Sequence, residues 1–173
     1  MWREYFGPRC ALHGVDIEPA CKSYEKPGTK VYIGDQENRE FWRKIKSEIP
    51  RLDILIDDGG HTPEQQRVTL EEMLPHLAPG GVFVCEDIHG ANNEFCAYVQ
   101  GLCMQMHAAK LSDATTAGIT SPAGSFQGCY ASVHQYPFMT VIEKRMEPVR
   151  EFWCPKHGTE WQPFYGHEVL KQN

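Results

Sequence analysis

The sequence has no C-x-x-C pair. Its seven cysteines, at positions 10, 21, 85, 96, 103, 129 and 154, are irregularly spaced and odd in number. That excludes a zinc ribbon and speaks against a disulfide framework, so a reducing, cytoplasmic setting is expected. Positive charge is also in deficit: 17 Lys and Arg stand against 23 Asp and Glu, a formal net charge of −6. A surface of that sign does not select a phosphate backbone, and nucleic acid is not an expected partner. No apolar run approaches the roughly 18 residues of a membrane helix, and Met1-Trp2-Arg3-Glu4-Tyr5-Phe6 carries charge where a secretory leader is apolar. No membrane partner is expected. Internal repeats, low-complexity tracts and interdomain linkers are absent as well. What remains is ordinary globular material, 173 residues with 41% hydrophobic and 23% charged side chains, which suits one domain and is too short for two.

Hydrophobic period then predicts an α/β fold. Short apolar runs at Ala11–Ile17, Lys30–Gly34, Asp53–Asp57 and Gly81–Cys85 alternate with amphipathic stretches, the pattern of β-α units feeding a parallel sheet. Between the third and fourth runs, Thr62 caps a helix, Pro63 takes its first position and Gln65 completes a Thr-x-x-Gln capping box. Leu70, Met73, Leu74 and Leu77 give that helix one apolar face, and Pro79-Gly80-Gly81 ends it. A second helix is expected over Asn92–Lys110, with Phe95, Val99, Leu102 and Met106 turned to the core. Ser112–Phe126 reads as a loop near a binding face. Gly128–Gln135 and Phe138–Lys144 read as strands joined by Tyr136-Pro137, too close for a helical crossover and therefore antiparallel. The domain is expected over 1–145, with 146–173 as a tail packing on or near the site.

Position, more than composition, points to function. Asp16, Asp35, Asp57 with Asp58, and Glu86 with Asp87 each fall at the carboxyl end of a predicted strand. In a parallel sheet those ends share one edge, where open α/β folds bind ligands. An acid after an early strand of a nucleotide-binding fold accepts hydrogen bonds from the ribose hydroxyls of an adenosine cofactor, which suits Asp16; Asp35, one strand on, reaches toward the adenine. Asp57, Asp58, Glu86 and Asp87 form a like-charged group that calls for a cation, and hard oxygen ligands favour Mg²⁺ over Mn²⁺ or Ca²⁺. His61 lies beside this group and just before a helix N-terminus, which favours the neutral imidazole of a general base. His89, two residues after Asp87, is placed to support the metal or the substrate.

The run Gly14-Val15-Asp16-Ile17-Glu18, then Gly34-Asp35-Gln36, then Ile56-Asp57-Asp58-Gly59-Gly60-His61, and finally Pro79-Gly80-Gly81 to Glu86-Asp87 resembles the class I S-adenosylmethionine-dependent methyltransferases. It is most similar to the metal-dependent macrocin and mycinamicin sugar O-methyltransferase group, whose relatives include proteins labelled cephalosporin hydroxylase. The likeness covers about residues 1–145. The resemblance implies a Rossmann-like, mostly parallel sheet with a C-terminal antiparallel hairpin, and a small hydroxyl-bearing acceptor such as a sugar or vicinal diol. It implies Asp58, Glu86 and Asp87 as Mg²⁺ ligands and His61 as catalytic base. Asp16 is then the ribose-binding acid, Asp35 and Gln36 the adenine-side residues, and Asp57 an acid near the methionine end of the cofactor.

The resemblance also implies something that the sequence does not supply. Members open with a strand and a Gly-rich turn, and nothing before Asp16 matches them. The expectation is a sheet without its first, central strand, leaving its two neighbours unpaired. Two other readings stand beside methyl transfer: an Fe-dependent hydroxylase-like enzyme, and a noncatalytic binding or assembly protein built on the same fold. Whether the chain forms a homo-oligomer is left open.

Overall fold

The computed structural model describes residues 1–106 and 128–147, together with the strand pairs 155–156 and 160–161. Its elements run α1 (Trp2–Phe6), β1 (Leu12–Asp16), a 3-10 turn (Pro19–Tyr24), β2 (Thr29–Ile33), α2 (Arg39–Glu48), β3 (Ile54–Asp57), α3 (Pro63–Met73), β4 (Val82–Cys85), α4 (Glu94–Gln105), β5 (Tyr130–Tyr136), β6 (Met139–Lys144), β7 (Pro155–Lys156) and β8 (Glu160–Trp161). Three of the four early strands fall inside the predicted runs, and β2 begins one residue before its run, at Thr29. The expected loop 112–126, the residues of the second helix beyond 106, and the tail around His157 lie outside the described residues.

The main sheets are two. β1 pairs with β2 in parallel; separately, β3, β4, β6 and β5 line up in that order, β3–β4 parallel and both β4–β6 and β6–β5 antiparallel. Among the described residues no strand lies between β1 and β3. A cavity of about 280 Å³ occupies that place, walled by His13, Gly14 and Val15 on one side and Ile54 and Ile56 on the other. Val15, Ile54 and Ile56 remain 37%, 39% and 39% exposed, unusual values for apolar residues of short strands in an α/β domain.

Helices hold the two sheets together. Asn38 caps α2 through hydrogen bonds from the Glu40 and Phe41 amides, and the apolar side of α2 (Trp42, Ile45) meets Val68 and Met73 of α3 and Tyr32 of β2 in one cluster. On the outside, Arg39 bridges Glu71 and Glu72, and Lys46 reaches Glu72 at 2.7 Å. The capping box at Thr62 and Gln65 forms as expected, with both reciprocal hydrogen bonds present. Leu70, Leu74 and Leu77 then bury against Phe83, Val99, Leu102 and Ile142, each fully buried leucine contributing about 1.5–3 kcal/mol. Gly80 adopts φ +73°, and a Cβ at Gly81 would lie 2.9 Å from the carbonyl oxygens of Ala78 and Asp53. The Pro-Gly-Gly turn is thus required for β4 to enter beside β3.

Candidate functional site

Parallel β1, β2, β3 and β4 bring their carboxyl ends to one edge, and the predicted acids lie along it. Asp16 closes β1. It accepts the Glu18 amide at 2.8 Å and the Cys21 thiol at 3.2 Å, and these bonds, the amide first, hold its carboxyl below the usual range. An ionised carboxylate has lone pairs left over, so it retains capacity to accept from vicinal hydroxyls. Asp35 follows β2 and turns its Oδ1 back to the Glu37 amide at 2.8 Å, an Asx turn that leads into α2.

Gln36 is more central than its motif position suggests. Its Nε2 donates to the Asp57 carboxylate at 3.1 Å and to Thr69 Oγ1 at 3.2 Å, while its Oε1 accepts the Gly60 amide at 2.7 Å. A Cβ at Gly59 would sit 2.4 Å from the same Oε1, so glycine is what lets the 57–60 loop close on Gln36. Asp57, only 7% exposed, is pushed up to about 6 by burial, against the lowering effect of Gln36, the Gly59 amide, His61 and Thr69.

Asp58, His61 and Asp87 converge. One ligand atom from each lies within 4.8 Å of the others; His61 Nε2 is 3.9 Å from Asp58 Oδ1 and 3.7 Å from Asp87 Oδ2. Asp87 reaches this position through a left-handed backbone, φ +52°, a costly conformation for a residue other than glycine and one found where a site re-aims a side chain. Glu86 is not a member of this group of three. Its amide donates to the Asp57 carbonyl at 2.9 Å and its carbonyl accepts Gln66 Nε2 at 3.3 Å. The backbone thus ties β4 to β3 and α3 while the side chain stands apart. His89 extends the cluster, its Nε2 3.7 Å from Asp87 Oδ1 and its ring 6.4 Å from that of His61. Two carboxylates and an imidazole from two loops, the one after β3 and the one after β4, make a donor set of the hard oxygen and nitrogen type that a divalent cation takes.

The motif reading passed over Phe138. Its aromatic ring lies 5.3 Å from His89, and its carbonyl accepts the Ile88 amide at 3.0 Å. The signal available in the sequence was Tyr136-Pro137-Phe138, a tight turn whose second residue is large and aromatic. Among the described residues no helix is long and apolar enough to cross a membrane.

Residues 9–88 match the family model of a methyltransferase domain. The demethylmacrocin O-methyltransferase of Streptomyces fradiae is 35% identical over 88 residues, 51% of this chain and 22% of the relative. The mycinamicin VI 2''-O-methyltransferase of Micromonospora griseorubida is 36% identical over 89 residues, 51% and 22% of the two chains. A tetracenomycin rhamnosyl 2'-O-methyltransferase of Streptomyces olivaceus is 28% identical over 157 residues, 84% of this chain and 40% of the relative. The chain therefore spans well under half the length of these relatives. In fold it is similar to the MycE methyltransferase solved with Mg, S-adenosylhomocysteine and mycinamycin VI, at a TM-score of 0.66 and 24% identity over 83% of this chain and 38% of that one.

Proposed function

We propose, from the match of residues 9–88 to a methyltransferase domain and the likeness to macrocin- and mycinamicin-type O-methyltransferases, that the chain carries the site of an S-adenosylmethionine-dependent, Mg²⁺-assisted transfer to a hydroxyl of a sugar or other small diol. The observation that carries this reading is the meeting of Asp58, His61 and Asp87 at the strand-end edge, the edge that also holds Asp16 and Asp57. When bound, the cofactor supplies an electrophilic methyl group on sulfonium sulfur, and the divalent cation supplies the charge that favours an alkoxide at the acceptor oxygen.

The chain's own residues perform the rest. Asp58 and Asp87 would hold the metal; Glu86, expected from the sequence as a third ligand, lies outside the converging group. His61 Nε2 takes the acceptor's proton, and the two carboxylates within 4 Å stabilise the imidazolium that results. Asp16 binds the ribose hydroxyls, Asp35 and Gln36 border the adenine side, and Asp57 provides negative charge near the sulfonium. Gln36, anchored to Asp57 and Gly60, keeps the 57–60 loop in register with the metal edge. Most of the rate comes from placement, since the leaving group is already activated.

A second reading has its own observation. His61 lies within the same 4.8 Å group as the two carboxylates, so it is also placed to be a metal ligand itself. The relatives' names support O-methyl transfer over an Fe-dependent hydroxylase, and a catalytic role over a noncatalytic one. Calorimetry of the folded protein with S-adenosylmethionine in the presence of Mg²⁺ tests the proposal. Saturable binding, followed by incorporation of labelled methyl into a pyranoside acceptor, is expected; the absence of any heat at millimolar cofactor overturns it.

A further inference from the structure

The hairpin between β5 and β6 has a tip that the fold does not account for. Tyr136 pairs with Met139, leaving a turn of Pro137 and Phe138. Proline fixes φ near −65°, which suits the first central position of a turn, and Phe138 takes the second in the left-handed region, at φ +61°. Glycine or asparagine fills such a position cheaply; a bulky aromatic does not. Nor does the ring repay the strain by packing in the core, because Phe138 is 61% exposed. The strained, exposed aromatic is nonetheless tied to the candidate site twice: through the Ile88 amide to the Phe138 carbonyl at 3.0 Å, and through its ring contact with His89. Ile88 directly follows Asp87, whose backbone is also left-handed. Two unfavourable conformations are thus joined by one hydrogen bond beside the metal edge.

From this we infer that Phe138, braced by His89, is the platform on which the acceptor ring lies: a six-membered sugar ring whose apolar C–H face stacks on the phenyl ring while its hydroxyls point to Asp58, His61 and Asp87. The inference rests on the methyl-transfer reading and narrows its acceptor from any small diol to a cyclic one. An extended or acyclic diol has no flat C–H face and gains nothing from an aromatic surface. His89 contributes as a positioning residue. Its Nε2 is near Asp87 Oδ1, its ring lies against Phe138, and Asn93 Nδ2 fixes its carbonyl at 2.8 Å. Ring and metal edge are thereby kept in one relation.

The test uses the whole chain with Mg²⁺ and S-adenosylhomocysteine and, as probe, methyl α-L-rhamnopyranoside observed by saturation-transfer NMR. In the wild type, saturation of aromatic protons is expected to reach the C–H protons of one face of the sugar. Phe138→Gly and Phe138→Asn both accept the left-handed φ, so their melting temperatures are expected within about 2 °C of wild type or above it. Each should bind the probe about three- to tenfold more weakly, and Phe138→Trp should retain it. Unchanged probe affinity in both ring-less variants overturns the platform, as does saturation spread equally over both sugar faces. Cofactor binding on the same samples separates the two proposals. A wild type that binds S-adenosylhomocysteine but no pyranoside sinks the platform alone, whereas one that binds neither sinks the methyltransferase reading and the platform with it.

Discussion

Gln36 and Asp57 meet where the two sheets approach each other, the amide nitrogen of the first 3.1 Å from the buried carboxylate of the second. One residue follows β2 and the other ends β3, so this contact joins half-sheets that share no strand pairing among the described residues. Replacing Gln36 with alanine leaves Asp57 short of a donor and the Gly60 amide short of its acceptor, each in a part-buried setting. The expected cost is about 1–3 kcal/mol, read as a lower urea midpoint. Gln36→Glu should cost more, because it sets a second negative charge against Asp57. If both variants match wild type in midpoint, the contact is incidental.

The proposed metal ligands are expected to rank. Asp58→Asn and Asp87→Asn remove members of the converging group and should weaken Mg²⁺ binding about tenfold or more. Glu86→Gln alters a side chain outside that group and should weaken it less. Titration calorimetry with Mg²⁺ alone gives the order directly; a Glu86 effect larger than either aspartate effect reverses the assignment.

The two readings of His61 separate on one variant. As a base, His61→Ala should lower turnover by about 10²–10⁴-fold while leaving Mg²⁺ and cofactor affinity close to wild type. As a ligand, the same change should weaken Mg²⁺ binding in step with the rate. Measured together, the Mg²⁺ dissociation constant and kcat decide between them.

Acid should loosen the contact between α2 and α3. Burial alone would raise the Glu72 carboxyl, but hydrogen bonds from Lys46 and Arg39 outweigh it and hold the group below the usual glutamate range. Its folded value lies below its unfolded one. The unfolded chain therefore binds more protons in the window beneath the ordinary value, and the stability contributed by the group is complete above that value and lost as pH falls through the depressed one. Glu72→Gln should accordingly lower stability by about 1 kcal/mol near neutral pH, with the difference from wild type shrinking below about pH 4. A gap in urea midpoint that persists at low pH contradicts the sign.

Much of this arrangement is written locally in the sequence. The Thr62 to Gln65 capping box acts through neighbouring backbone atoms, so it reads correctly without knowledge of the fold, whereas α3 stops at Met73, short of the helix end expected at Pro79-Gly80-Gly81, and Gly81 is constrained by the distant Asp53 carbonyl as well as by Ala78. The strand-end acids read correctly because parallel strands must share an edge. Helix α2 was visible only as part of an amphipathic stretch, although Asn38 followed by Phe41, Trp42, Ile45 and Ile49 is a cap and an apolar face. What stayed hidden depends on backbone turns. Successive side chains of extended backbone point to opposite faces, and the left-handed φ at Asp87 decides which of Glu86 and Asp87 joins His61. Spacing does not encode that choice. The role of Gln36 was hidden for a similar reason, since its partners are 21 and 24 residues away.

The gap between β1 and β3 also bears on how the molecule comes apart. No ladder of backbone hydrogen bonds runs from one half-sheet to the other among the described residues. Their union depends on the α2–α3 cluster, the Arg39 and Lys46 ion pairs and the Gln36 contact. Side-chain packing of this extent opens at lower free energy than a continuous sheet. Amide hydrogens of β1 and β2 should exchange through a partial opening that leaves β4 and β6 protected, which gives the chain two levels of kinetic protection to be read by hydrogen exchange.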